Sequence, residues 1–278
     1  MAACRRGLSD KITRLAQTAA LAAGLTVLTL GVVCADSIAL KADGGAYVAH
    51  EAAAVGPKRD RSEAAAELRP YTATYNGMWR GWTVAASTLK LERTGDTWTF
   101  SSRTELRGIG KQAPGVYPLQ QVSVVRVTDQ GVLPQSFKSS GGDPGNSFEL
   151  NYNWQTDRVT GTYEDARVDL PLTPQVQSDG SVQLHLMVEL LAGRIPPSVQ
   201  LIDKDGVRRY QITSDGEATI RTTMGDVHTV IFKAQKQYSP RVTRFWCAPD
   251  RGYIPLRVQQ TVGNDVQWTM EIQSLSRQ

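Results

Sequence analysis

The stretch "RVTRFWCAPDRGYIPLRVQQTV", residues 241–262, sets a thiol, Cys247, three residues before a carboxylate, Asp250. A cysteine attacks as its thiolate, which needs a base in reach and an imidazole or helix N-terminus to lower its pKa. Nothing of that kind is near it in sequence. The three histidines, His50, His185 and His228, lie far apart. In extended backbone Thr243, Phe245 and Cys247 share one face, and Arg244 and Trp246 the other. Cys247 is therefore read as a small, buried, inert residue. Asp250 has a turn to make: Pro249 presets φ, Asp250 bonds local backbone and Gly252 accepts a positive φ.

The other chemistry-bearing pairs have equally plain readings. Asp226 and His228 share a strand face and read as a solvent-facing pair. Glu164 and Asp165 fall in "TYEDARVDL", read as a solvated turn. "SSGGDPGNS", residues 139–147, is glycine-rich, but no helix follows to aim amides at a phosphate, so it reads as a hairpin loop. No H-x-x-x-H or C-x-x-C spacing and no G-x-S-x-G occurs. The expectation is a non-enzymatic protein with no catalytic residue, metal or cofactor; the competing enzymatic reading is a hydrolase using His228 or Cys247.

These residues sit on elements whose periodicity is clear. "SFELNYNW" points Phe148, Leu150, Tyr152 and Trp154 one way and Ser147, Glu149, Asn151 and Asn153 the other, a half-buried strand. Ala85, Leu89 and Leu91, then Ile254, Leu256 and Val258, then Trp268, Met270 and Ile272 alternate likewise. Turn pairs such as Asp215-Gly216 and Gly225-Asp226 separate the runs. Roughly ten to twelve strands are expected, in an antiparallel sheet with one wet face.

One segment, "SDGSVQLHLMVELLAGRIPP", departs from period two. Leu184, Met187, Val188 and Leu191 follow helical spacing, with Val182, Leu186 and Leu190 on the flank. Ser178 or Ser181 can cap its start, Gly193 its end, and Pro196-Pro197 forbids continuation. So wide an apolar arc needs cover on every side. The fold class is thus mainly β (α+β): a large curled antiparallel sheet or half-barrel around one central apolar helix. A curled sheet with a helix across its mouth can leave an apolar cavity. Leu184, Met187, Val188, Leu191 and Trp246 are the residues expected to line it, with a lipid, acyl chain or other apolar molecule as occupant. The alternative is a structural or assembly factor of the envelope, binding a protein partner through exposed Trp79, Trp82 or Trp98.

The first residues read as an address. Arg5, Arg6, Lys11 and Arg14 precede the apolar run "LAQTAALAAGLTVLTLGVVCA", and small residues end it, so residues 1–35 read as a signal peptide cleaved after Ala35, an uncleaved anchor being the alternative. Residues 36–67, Ala-rich and charged, read as a flexible linker with a short helix around Ser62–Leu68, and residues 68–278 as a single β-rich domain. Loss of residues 1–35 removes four basic groups and one acidic group, so the net charge falls from +4 to +1. No basic tract remains to hold nucleic acid. Cys4 and Cys34 leave too, so Cys247 has no disulfide partner within the chain and the core alone must hold the domain.

Several marks together resemble a known family: the opening "YTATYNGMWRG", the "GVLPQSFKS" turn, "FELNYNW", "QSDGSVQLHLMVELLAG", and "TRFWCAPDRGYIPLRV" after "TTMGDVHTVIFKA". They resemble a proteobacterial family of exported proteins, a domain of unknown function numbered 3108, from about Leu68 to the C-terminus. The resemblance implies the periplasm of a Gram-negative bacterium, with no integral membrane span after cleavage, and no established activity. The hairpin bearing Trp246, Asp250 and Pro255 also looks like a strand pair of the periplasmic lipoprotein carriers and receptors, whose unclosed barrel holds helices over an apolar cavity. No segment here matches their second and third plug helices.

Overall fold

Alternating apolar and polar residues build a single sheet of fifteen strands in the computed structural model. It describes residues 56–112, 117–142, 147–164, 166–203 and 206–277. The expected signal peptide 1–35, residues 36–55 of the expected linker, His50 and Asp165 lie outside them.

A short helix, α1 (Arg61–Ala66), precedes β1 (Tyr71–Trp79), β2 (Trp82–Thr94), β3 (Thr97–Leu106), β4 (Tyr117–Thr128), β5 (Gly131–Gly142), β6 (Phe148–Asn153), β7 (Arg158–Tyr163) and β8 (Ala166–Pro171). Next come β9 (Val176–Gln177) and the helix α2 (Ser181–Leu191). The chain ends in β10 (Ser198–Asp203), β11 (Gly206–Thr222), β12 (Gly225–Lys236), β13 (Arg241–Ala248), β14 (Ile254–Val262) and β15 (Asp265–Arg277).

In space the order is β8-β7-β6-β5-β4-β3-β2-β1-β15-β14-β13-β12-β11-β10-β9. Every neighbouring pair is antiparallel except β9 with β10. β1 lies mid-sheet, paired to β2 on one side and β15 on the other. The two edges, β8 and β9, are not bonded to each other, so the sheet is unclosed. Yet only residues 172–175 separate them in sequence. Fully extended, that connection spans at most about 18 Å. A sheet this wide must therefore roll until its edges nearly meet. A core cluster bridges the gap, joining Val159 and Val168 near one edge with Leu172 in the connection and Val176 and Ile202 near the other.

The strand count exceeds the sequence expectation because several strands carry little alternation. β7 ("RVTGTY") and β8 ("ARVDLP") each bury a single residue, Val159 and Val168, and form a hairpin with exposed Glu164 in its turn, as expected there, while the strands on either side were not expected. The strongly alternating strands behave as expected: Ala85, Leu89, Leu91, Ile254, Leu256, Val258, Trp268, Met270 and Ile272 are all buried.

α2 stops for the expected reason, but its N-cap is Gly180, which makes no side-chain cap bond. Ser178 and Ser181 instead bond each other where the helix starts, each hydroxyl accepting the other's backbone N–H, at 2.8 and 3.1 Å. At the far end Gly193 takes φ +68, its N–H donates to Leu190 O at 3.0 Å, and Arg194 N–H donates to Glu189 O at 2.8 Å, a Schellman ending. All but one of its residues are buried.

The end of the expected linker is docked on this helix. Ala64 is fully buried, Arg59 N–H donates to Ala192 O at 3.1 Å, and Arg61 pairs with Glu189.

Candidate functional site

A cleft opens where α2 faces the inner side of β11, β12 and β13. α2 contributes Val182, Gln183, Leu186, Met187 and Leu190; Ile212, Phe232, Phe245 and Cys247 form the facing wall. Ile195, Pro196, Tyr253 and Pro255 complete it. The positions follow from strand parity. Val230, Phe232 and Ala234 face inward on β12, and their register partners Cys247, Phe245 and Thr243 do so on β13. No charged residue lines the cleft. Its volume is about 30 Å³, on a measure by which one water fills roughly 10–15 Å³. It is a slit. A ligand as thick as an alkyl chain enters only as Leu186, Met187 and Leu190 turn aside, and methionine does so at little cost.

Of the five expected lining residues, Met187 alone is in the wall. Leu184, Val188 and Leu191 are buried in the main core cluster. Trp246, half-buried, points to the other face of β13, with the Arg257 guanidinium 5.7 Å from its ring centre. Leu186 and Leu190 take the expected places of Leu184 and Val188. A helix covered on nearly all sides gives no polar stripe to mark which apolar edge meets a cavity.

Two features of the cleft matter chemically. Cys247 is a buried free thiol, and burial pushes its pKa well above the ordinary value, so it is an unionised S–H. No histidine is among its cleft neighbours. Gln183, 3 % exposed, is held at one end only. Its Nε2 donates to the Tyr71 hydroxyl at 2.9 Å and lies 3.9 Å from Met187 Sδ, while its Oε1 is buried without a partner.

A second depression, of about 430 Å³, is polar and open. Asp226, His228, Asp250, Arg251 and Arg277 line it. His228 is exposed, 3.5 Å from Glu217, and Asp226 pairs with Arg221 at 2.5 Å. Cys247 and His228 thus occupy different environments, core and solvent, and form no dyad. Pro249 starts a one-turn 3-10 helix, Pro249–Arg251, closed by Gly252 at φ +66, as expected, but the turn carries no side-chain cap bond of the kind expected from Asp250 to local backbone.

The tryptophans divide. Trp98 and Trp268 are core. Trp154 donates to Pro134 O at 2.6 Å. Trp82, at the β1–β2 turn, is 65 % exposed, and beside it Arg80 lies 5.0 Å from the Trp79 ring centre. Among the described residues no helix is long and apolar enough to cross a membrane, and no group of three potential metal ligands occurs.

None of the curated proteins matches the chain significantly. Among solved structures, a protein of Bacteroides fragilis NCTC 9343, assigned as exported and given a YmcC-like fold, covers 80 % of this chain and 99 % of its own at 11 % identity and a TM-score of 0.34. That superposition is too loose to transfer fold or function. A family profile described as "Protein of unknown function (DUF3108)" matches residues 70–271, the span from the start of β1 into β15. The chain belongs to the DUF3108 family.

Proposed function

We propose that the chain is a non-enzymatic domain of the periplasm that holds an apolar ligand, a lipid or acyl chain, between α2 and the rolled sheet. The observation that carries this reading is the cleft itself. A wall of Leu186, Met187, Leu190, Ile212, Phe232 and Phe245 without one charged group suits a hydrocarbon and little else. The periplasmic assignment draws on the N-terminal signal pattern. On this reading α2 is the central plug of a half-barrel, and opening of the slit admits the ligand.

The test is gentle purification of the exported chain, native mass spectrometry and organic extraction. A co-purifying apolar molecule, or displacement of a fluorescent apolar probe by added lipid, supports the reading. A clean mass with no uptake of any apolar probe overturns it.

A second reading has its own observation. Trp82 exposes 65 % of its surface on a tight turn, a costly place for a tryptophan that binds nothing. On that reading the domain is an assembly factor of the envelope that grips a protein partner through this turn. Loss of a cross-linked envelope partner in Trp82→Ser, with ligand uptake unchanged, would favour it.

A further inference from the structure

We infer that the occupant of the cleft is an uncharged amphiphile bearing one hydrogen-bond donor, a long-chain alcohol or acylglycerol-type hydroxyl, and that Gln183 Oε1 receives it. The inference rests on the ligand-binding reading above and narrows it to a chemical class. Gln183 is the only amide in the cleft wall. Its orientation is set by its neighbours: Met187 Sδ, 3.9 Å from Nε2, is an acceptor and never a donor, so the nitrogen belongs on that side. The Tyr71 hydroxyl accepts the other N–H at 2.9 Å. That leaves Oε1 as an acceptor without a donor, in a side chain 3 % exposed. A buried acceptor without a partner is destabilising and is rarely retained unless something completes it.

The same wall says what the donor cannot be attached to. Tyr253 and Cys247 are the other polar members, and both are neutral, the thiol held protonated by burial. A carboxylate or phosphate buried there would meet no cation and would face the bare amide oxygen, charge against acceptor. An ammonium would meet no anion. A hydroxyl supplies the missing proton and carries no charge.

The test compares three probes of one chain length on the intact exported chain: 1-decanol, its methyl ether, and decanoate at pH 8. Each competes against a neutral fluorescent apolar dye. The expected order is decanol first, the ether about tenfold weaker for want of one hydrogen bond, and decanoate weaker still. In Gln183→Met, close in shape but without the amide, decanol and its ether should bind within about twofold of each other. Equal binding of alcohol and ether by the natural chain, or tighter binding of decanoate, overturns the inference while leaving an apolar site in place. Uptake of neither the dye nor any probe overturns both, and a dye that none of the probes displaces overturns the inference alone. The alcohol-to-ether ratio is read on the unmodified protein, so it stands whether or not the variant folds.

Discussion

Arg61 grips Glu189 with two nitrogens, Nε 2.5 Å from one carboxylate oxygen and Nη2 3.2 Å from the other, and so fastens α1 to α2 across 128 residues of chain. The Glu189 side chain is 4 % exposed and that of Arg61 23 %. Bidentate geometry in partial burial makes this worth more than a surface pair, yet the arginine's remaining exposure keeps it below a fully buried one. Arg61→Ala leaves a buried carboxylate without its cation and should cost about 2 kcal/mol in urea unfolding. Arg61→Met with Glu189→Leu removes both charges and should recover most of that loss. If Arg61→Ala unfolds at the natural urea midpoint, the contact is not holding the helices together.

The next turn of the same helix sets an acid limit. His185, 4 % exposed, has an Nδ1 with no partner. Burial holds its pKa down to about 4, against an upward pull from Glu189 and a further downward push from Arg61. The unfolded chain binds this proton near pH 6.5 and the folded chain does not, so stability is full above about 6.5. It falls as the pH drops toward about 4 and then stops falling on this residue's account. Over that window the loss should reach about 3 kcal/mol at most. Urea midpoints taken from pH 7.5 to 4 check this against His185→Leu, which should show a flatter acid limb. Parallel curves would mean that His185 titrates normally.

How much of this was written in the sequence depends on which force shaped each residue. Strands with one wet face wrote their parity plainly, so Leu89, Leu256 and Met270 read as core and are core. Gly193 and Gly252 were equally legible, because each takes a positive φ that favours glycine. The parts given to Ser178, Ser181 and Asp250 were read less well, since neither the start of α2 nor the turn at Asp250 carries a side-chain cap bond. Strands β7 and β8 were not legible, since each buries one side chain and the ladder, not the pattern, makes them strands. The cleft was less legible than the core. The periodicity raised the expectation of a cavity beside α2, but gave no means to say which residues would line it. Val188 and Leu190 are alike in the sequence, and only the direction of the rolled sheet decides which of them faces empty space. Gln183 could not be found by spacing either, because its importance lies in a partner it lacks.

Cys247 should be silent to thiol reagents while the protein is folded. Its sulfur is buried, and burial raises the pKa, so the thiolate that reagents attack is scarce. Labelling with an aromatic disulfide should proceed only through unfolding and should accelerate in urea in step with the unfolded fraction. Cys247→Ala should cost about 1 kcal/mol, the loss of one small apolar contact. Fast stoichiometric labelling in native buffer would reopen the nucleophile reading.

Gly193 carries two demands that no other residue meets together. Its φ of +68 ends α2, and a Cβ there would lie 2.3 Å from Gly56 O and 2.5 Å from Pro57 O, where the segment before α1 crosses the helix end. The left-handed backbone alone costs an alanine about 1 kcal/mol. The overlap is with backbone, which cannot rotate away, so the segment must lift. Arg59 would then lose its bonds to Ala192 O and Leu191 O. Gly193→Ala should therefore destabilise the domain by about 2–3 kcal/mol and raise amide exchange at residues 57–67 far more than in β14. If exchange rises uniformly instead, or the loss is only the roughly 1 kcal/mol of the strained φ, the segment is not clamped there and its docking rests on Arg61 and Glu189 alone.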